Sequence, residues 1–325
     1  MTPIAIAQTE PTDQIEVPSA PSSALVHLTL AACGAAMLAF CAIAAPRGAL
    51  HAALPLLETT LLLIPPLLVP AAFCHERKAW DRRDAILMLP WTLVVAALIT
   101  QAAPTTATFA FPLRDSLWLS LDQHLFISVP AIMAFTARHP FLQSLLNYSY
   151  AWMLHPLILL AIFVPALSGK RVTAQRFVLV NALSFVLALP FMLLLPAVGP
   201  WVGWHFAPTA LQHACEATIY ELRKGSLQIG DSFGGIVCLP SFHVFWAVVS
   251  AHALQPFRLL RYPAIAAAAL ITVSTMTTGW HYGVDVIAGL SMALLTTWLA
   301  DLVVSHAGHT KIKTSKVTIN LTKNA

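Results

Sequence analysis

The feature that most constrains this chain is a recurrence of apolar runs of about 18 residues or more, the length an α-helix needs to cross a bilayer. They are separated by short charged stretches such as His75 to Asp84. A run of that length with so few charges cannot be hidden inside an ordinary soluble domain. With 58% hydrophobic and 10% charged residues in 325, the expectation is an all-α polytopic membrane protein of about eight transmembrane helices. The 23 prolines do not oppose this, because membrane spans tolerate proline better than soluble helices do. The net charge of +4 gives no reason to expect nucleic acid, since the basic residues are scattered among loops.

The expected spans are about Ala24–Ala45, Leu54–Phe73, Ala85–Gln101, Phe141–Pro165, Phe177–Val198, His243–Leu254, Tyr262–Thr278 and Tyr282–Val304. The sixth is short. Between the third and fourth, Arg114 to Asp122 is amphipathic and too short to span, so it is expected to lie in the membrane interface, followed by a second short piece, Ile127–Ala137. In the loop after the fifth span, Thr209–Arg223 has the pattern of an amphipathic helix with Gly225 as its C-terminal cap. The division that follows is a polar tail at 1–22, accessory membrane helices at 23–110, a catalytic membrane domain at 111–304 and a basic tail at 305–325. With the N-terminus in the cytoplasm, most of the 18 Lys and Arg fall on the cytoplasmic side, as the positive-inside rule requires. The starts of the sixth and eighth spans then face outward together.

Those two starts carry the chemistry. The first is Pro240-Ser241-Phe242-His243 and the second Gly279-Trp280-His281-Tyr282-Gly283-Val284-Asp285. His281 and Asp285 are four residues apart, and on a helix they would share one face. A carboxylate there fixes the imidazole tautomer and leaves the other ring nitrogen free to attack. His243, across the site, is the candidate acid. Ser241 and the N–H groups opening the sixth span are candidate phosphate donors. The arrangement requires no metal and no cofactor. A lone histidine near a membrane surface is ordinarily structural, and that reading is given to His139, His155, His205, His213 and His252. Cys33, Cys41 and Cys74 read as small apolar fillers, while Cys215 and Cys238 share one loop, where pairing cannot be read from sequence.

These residues resemble the second and third motifs of the type 2 phosphatidic acid phosphatase superfamily. The nearest likeness is to its inositolphosphotransferase branch, which includes inositol phosphorylceramide synthase-like proteins and often carries P-S-F-H and H-Y-x-x-D. Leu222-Arg223-Lys224-Gly225, Pro196-Ala197-Val198-Gly199-Pro200, Gly289 and, more weakly, Arg114-Asp115 with Asp122 extend the likeness. The resemblance implies a six-helix phosphatase-like core. It also implies that His281 is the nucleophile through a phosphohistidine, that Asp285 orients it and that His243 protonates the leaving group. The substrate would be a phospholipid or isoprenoid phosphate, handled at the outer face of a membrane, the periplasmic face of a bacterial inner membrane. The acceptor is either an alcohol or water. The superfamily's first motif is absent, and Thr275 stands where an arginine is expected, with Ser274 in the expected serine position. Arg223, Lys224 and Arg114 are the candidate replacements. The reading from another class is a non-catalytic transporter or scaffold. It gains if the two imidazoles lie more than about 8 Å apart, beyond what one phosphate bridges.

Overall fold

A computed structural model describes residues 23–44, 53–226 and 239–309, all helix, turn or loop. The polar tail at 1–22, the end of the basic tail and Cys238 lie outside the described residues. In chain order the helices are α1 (Ala24–Ala44), α2 (Ala53–Glu76), α3 (Trp80–Ile86), α4 (Met88–Ala107), α5 (Asp115–His124), α6 (Val129–Ala137), α7 (Pro140–Tyr148), α8 (Leu154–Leu167), α9 (Arg171–Leu194), α10 (Pro200–Gly203), α11 (Ala210–Lys224), α12 (Phe242–Leu254), α13 (Arg258–Thr277) and α14 (Gly283–His309). A π-helical turn, Ser149–Met153, joins α7 to α8.

Among the described residues six helical stretches are long and apolar enough to cross a membrane: α1, α3 with α4, α7 through α8, α9, α13 and α14. The other two expected spans are α2, which runs through Pro65, Pro66 and Pro70, and α12, which has only 13 residues. At 1.5 Å per residue α12 covers about 20 Å, less than the roughly 30 Å hydrocarbon layer. The short pieces α5 and α6 form a pair bent by 74°.

Helix α9 sits at the centre, packed on α1, α4, α8, α12 and α14. Its buried residues, Ala174, Phe177, Val178, Leu179, Val180, Ala182, Phe185 and Ala188 among them, go all round the helix, the pattern of a helix enclosed by others. It begins at Arg171, six residues before the expected Phe177. The arginines extend it because each finds an acid: Arg171 meets Asp81 at 3.0 Å and Arg176 meets Asp301 at 2.5 Å. At the same end Asp84, fully buried, accepts from Arg83 Nε at 2.8 Å and from Ser23 Oγ at 3.0 Å. Helices α12 and α13 touch along much of their length. Both bury small residues, Ala247, Ser250 and Ala251 on one and Ala264, Ala267 and Ala268 on the other. In a bilayer, where apolar surface alone gives helices no reason to associate, such close backbone approach supplies the packing.

Helix α5 departs from its expected role as a plain interfacial helix. It buries Asp115, Trp118 and Asp122 and exposes Leu117 and Leu121. Its acids point inward, at the start of α14, and its leucines point out.

Candidate active site

The two histidine segments are made by helix ends. Helix α13 stops in a left-handed turn at Gly279, φ 72°. The Trp280 N–H donates to the Thr275 carbonyl at 3.1 Å and the Gly279 N–H to that of Met276 at 3.0 Å, which is the Schellman pattern. The His281 N–H also reaches the Thr275 carbonyl, at 3.2 Å. His281 therefore lies in the link before α14 and not on the helix, which corrects the expectation that a shared helix face sets its distance to Asp285. The pair is nevertheless close. The Tyr282 N–H donates to Asp285 Oδ2 at 2.9 Å, and the same oxygen lies 3.5 Å from His281 Nδ1. Asp285 acts here as the acidic third residue of a capping box, gripping the backbone N–H just before its own helix. At 3.5 Å the imidazole contact is ion-pair range and longer than a formed hydrogen bond. Both side chains are almost wholly buried.

Ser241 opens α12. Its Oγ accepts from the Val244 N–H at 3.4 Å, and its own N–H donates to the Asp285 carbonyl at 3.1 Å. This second contact joins the two motifs through backbone. A Cβ placed on Gly289 would lie 2.5 Å from the Ser241 carbonyl oxygen and 3.2 Å from Val244 Cβ, so only glycine lets the helices approach this closely. Gly289→Ala is expected to destabilise the protein by about 1–3 kcal/mol through overpacking and to lower turnover with it. Thermal unfolding and an activity assay of the variant check both. The approach brings the rings of His243 and His281 to 5.8 Å between centroids, tilted by 59°.

A shell whose acids the sequence reading carried only as a weaker part of the likeness holds this pair. Asp122, fully buried, accepts from the Gly283 and Val284 N–H groups at 2.9 Å each. Asp115 accepts from the N–H groups of Val198 and Gly199, and from the hydroxyl of the buried Tyr282 at 3.1 Å. The Pro196 to Pro200 segment therefore does not close α9 but forms a loop clasped by α5. Gln212, from the capping box that starts α11, donates to the Gly279 carbonyl at 3.1 Å. Tyr150, in the π-helical turn, stacks on His243 at 4.7 Å and 17° and lies parallel to Trp280 at 5.9 Å. Such turns recur at functional sites because they re-aim a side chain. Trp201 meets Trp280 edge-on at 5.7 Å and donates its indole N–H to Glu216 at 3.0 Å. The sequence signal for Asp115 and Asp122 was two acids inside an apolar segment; nothing local distinguished Tyr150.

The three candidate cations differ in their settings. Arg114 is exposed, and its backbone N–H donates to the Pro196 carbonyl at 2.7 Å. Lys224 pairs with Glu221 at 3.7 Å. Glu221 is held below its ordinary carboxylate value, first by Ser226 and then by Lys224. Arg223 is half-buried, donates to the Ala110 carbonyl at 3.3 Å and lines a small cavity with Leu239, just ahead of the Pro240-Ser241 motif. Burial lowers its pKa from the ordinary value, yet a guanidinium stays charged. Thr275 and Ser274 are fully buried, with hydroxyls turned back to Thr272 and Ile271. Among the described residues no three His, Cys, Asp or Glu side chains converge as a metal site.

Membrane-crossing helices and a His–His–Asp cluster at two helix starts, with His281 and Asp285 buried, define a class: an integral α-helical membrane protein with a candidate active site inside its bundle. A family model described as the PAP2 superfamily matches residues 115–299. No curated protein and no solved structure matches the chain. The match covers more than half of the sequence, and the chain belongs to the PAP2 superfamily. Membership points to phosphatase or phosphotransferase chemistry on phosphate esters.

Proposed function

We propose that the protein is a membrane phosphotransferase of the inositolphosphotransferase-like kind, acting on lipid phosphates or phospholipid headgroups through a phosphohistidine. The observation that carries the proposal is the 5.8 Å separation of the His243 and His281 rings, with Asp285 3.5 Å from His281 Nδ1. Imidazoles at that distance are close enough for both to reach one phosphate. With Nδ1–H turned to Asp285, His281 Nε2 attacks phosphorus and the bond to the leaving oxygen breaks. That oxygen takes its proton from His243. In the second half His243, now neutral, accepts the proton of the acceptor hydroxyl as its oxygen displaces His281 from phosphorus. The Ser241 hydroxyl and the N–H groups at the start of α12 stabilise charge on the phosphate oxygens, and Arg223, beside Leu239 just ahead of the Pro240-Ser241 motif, is the cation that attracts the anion.

The site belongs at the non-cytoplasmic face, the periplasmic one in a bacterial inner membrane. Arg77, Lys78, Arg82, Arg83, Lys170, Arg171, Arg258 and Arg261 fall in loops or helix ends at the opposite side. Because α12 is short, its histidine end is recessed below the outer surface, where a phosphate carried by a lipid can reach it. A hydrophobic wall of Tyr150 and Trp280 and the small number of cations favour an alcohol acceptor over water.

The test is purified protein in detergent with a panel of phospholipids and prenyl phosphates, comparing wild type with His281→Ala. A new phospholipid without free phosphate, absent in the variant, is the expected result. Free phosphate lost in the variant would instead make the protein a phosphatase. Equal behaviour of the two proteins on every substrate would sink the catalytic reading in favour of a transporter or scaffold.

A further inference from the structure

The helices ahead of residue 115 lie outside the family match, yet one of them walls a cavity of about 180 Å³ inside the bundle. The cavity lies between α4, α8, α9 and α12, with Ala96, Thr100, Ile158, Ile162, Asn181 and Trp246 in its lining. Its polar side chains are already used. Thr100 Oγ1 donates to the Ala96 carbonyl at 2.9 Å, the Trp246 indole to Asn181 Oδ1 at 2.9 Å, and Asn181 Nδ2 to the Phe177 carbonyl at 2.8 Å. A cavity whose polar groups are paired among themselves rejects water and takes apolar matter. Ala96 and Thr100 are exposed on the bundle surface, so the mouth opens between α4 and α8 toward the bilayer. From Thr92 to Thr100 the α4 wall is about 12 Å long at 1.5 Å per residue.

The cavity begins about one helical turn from the histidine layer along α12. Trp246 lies one turn inward of His243 on α12, and Ile158 and Ile162 lie on α8 below Tyr150, which covers His243. We infer that this crevice holds one hydrocarbon chain of the lipid whose phosphate sits between His243 and His281, and that α4 contributes chain selectivity from outside the family's own segment. The inference rests on the reading of the site as one for lipid phosphates. The chain enters sideways between α4 and α8, which places the phosphate at the recessed end of α12 without lifting the lipid out of the membrane.

The experiment uses the full chain in lipid nanodiscs. Ala96→Trp fills the mouth, and Leu159→Trp adds the same bulk to an exposed position of α8 that does not line the crevice. Turnover of dioleoyl phosphatidic acid and of its short dibutyryl counterpart is measured for each. The expected result is a KM for the dioleoyl lipid raised about tenfold in Ala96→Trp, the loss expected when roughly two methylenes leave an apolar site. The dibutyryl ester and Leu159→Trp should be unaffected. Equal KM changes for both esters, or none, would overturn the inference. If wild type turns over neither ester, phosphatidic acid is not the substrate, and a phospholipid with a photoactivatable chain decides on the crevice. Label on α4 and α8 that disappears in Ala96→Trp supports it; label unchanged by the substitution overturns it.

Discussion

Replacing His281 by alanine is expected to lower turnover by about five to six orders of magnitude, the scale seen when a covalent nucleophile is removed. His243→Ala should cost less, about 10²–10⁴, and its cost should depend on the leaving group. The two side chains sit 5.8 Å apart but have different work in the proposed reaction. A nucleophile is needed for every substrate. An acid is needed only where the departing oxygen is too basic to leave unprotonated. With an aryl phosphate, whose phenolate departs without help, His243→Ala should regain its first half-reaction, seen as a burst of phenolate, with steady turnover still limited by the second half, where His243 is the base; His281→Ala should show no burst. Alkaline quenching during turnover should trap phosphate on a histidine of the wild type, and on none in His281→Ala. Equal losses for the two variants on both kinds of ester would remove the assignment of separate roles.

The membrane architecture was legible because it depends on composition over windows of about twenty residues, and neighbours cannot change that. What failed at this level were boundaries set by distant partners. Nothing near Arg171 or Arg176 predicts that a helix continues through them; their acids, Asp81 on α3 and Asp301 on α14, come from remote helices. The pairing of His281 with Asp285 was legible as proximity, but the reasoning placed both on one helix. The structure instead closes the distance through a chain reversal at Gly279 and a backbone grip by Asp285. Ser241 and His243 were legible as a motif at a helix start, because the N-cap preference of serine is local. Tyr150 was not, since its stacking on His243 depends on a π-helical turn and on the packing of α8 against α12. The cations were the weakest part. Arg223 and Lys224 follow one another in sequence, yet one is half-buried beside Leu239 and the other pairs with Glu221 in solvent.

Asp122→Ala is expected to be the most damaging change away from the histidines, costing about 3 kcal/mol. An α-helix leaves its first N–H groups without partners, and α14 begins in a buried place where water does not replace them. The usual solution is a serine, threonine, aspartate or asparagine immediately before the helix. That position is Tyr282, whose hydroxyl is engaged with Asp115, and the residue before it is His281. The cap is therefore supplied from across the fold, by a carboxylate that takes the Gly283 and Val284 N–H groups together at 2.9 Å each. Removing it strands two buried donors, at roughly 1–3 kcal/mol each before relaxation, and removes an anion from the positive end of the helix. Asp122→Asn keeps one acceptor oxygen and should lose about half as much. Thermal unfolding in detergent reads the difference, with Leu121→Ala, an exposed neighbour on α5, expected to unfold near wild type. Activity should fall more steeply than stability, because His281 precedes the first capped residue by only two positions and its 3.5 Å approach to Asp285 has no slack. An Asp122→Ala protein that unfolds with wild type and turns over normally would mean that α14 starts correctly without α5. It would also leave the inverted face of that helix, acids inward and leucines outward, without a physical reason.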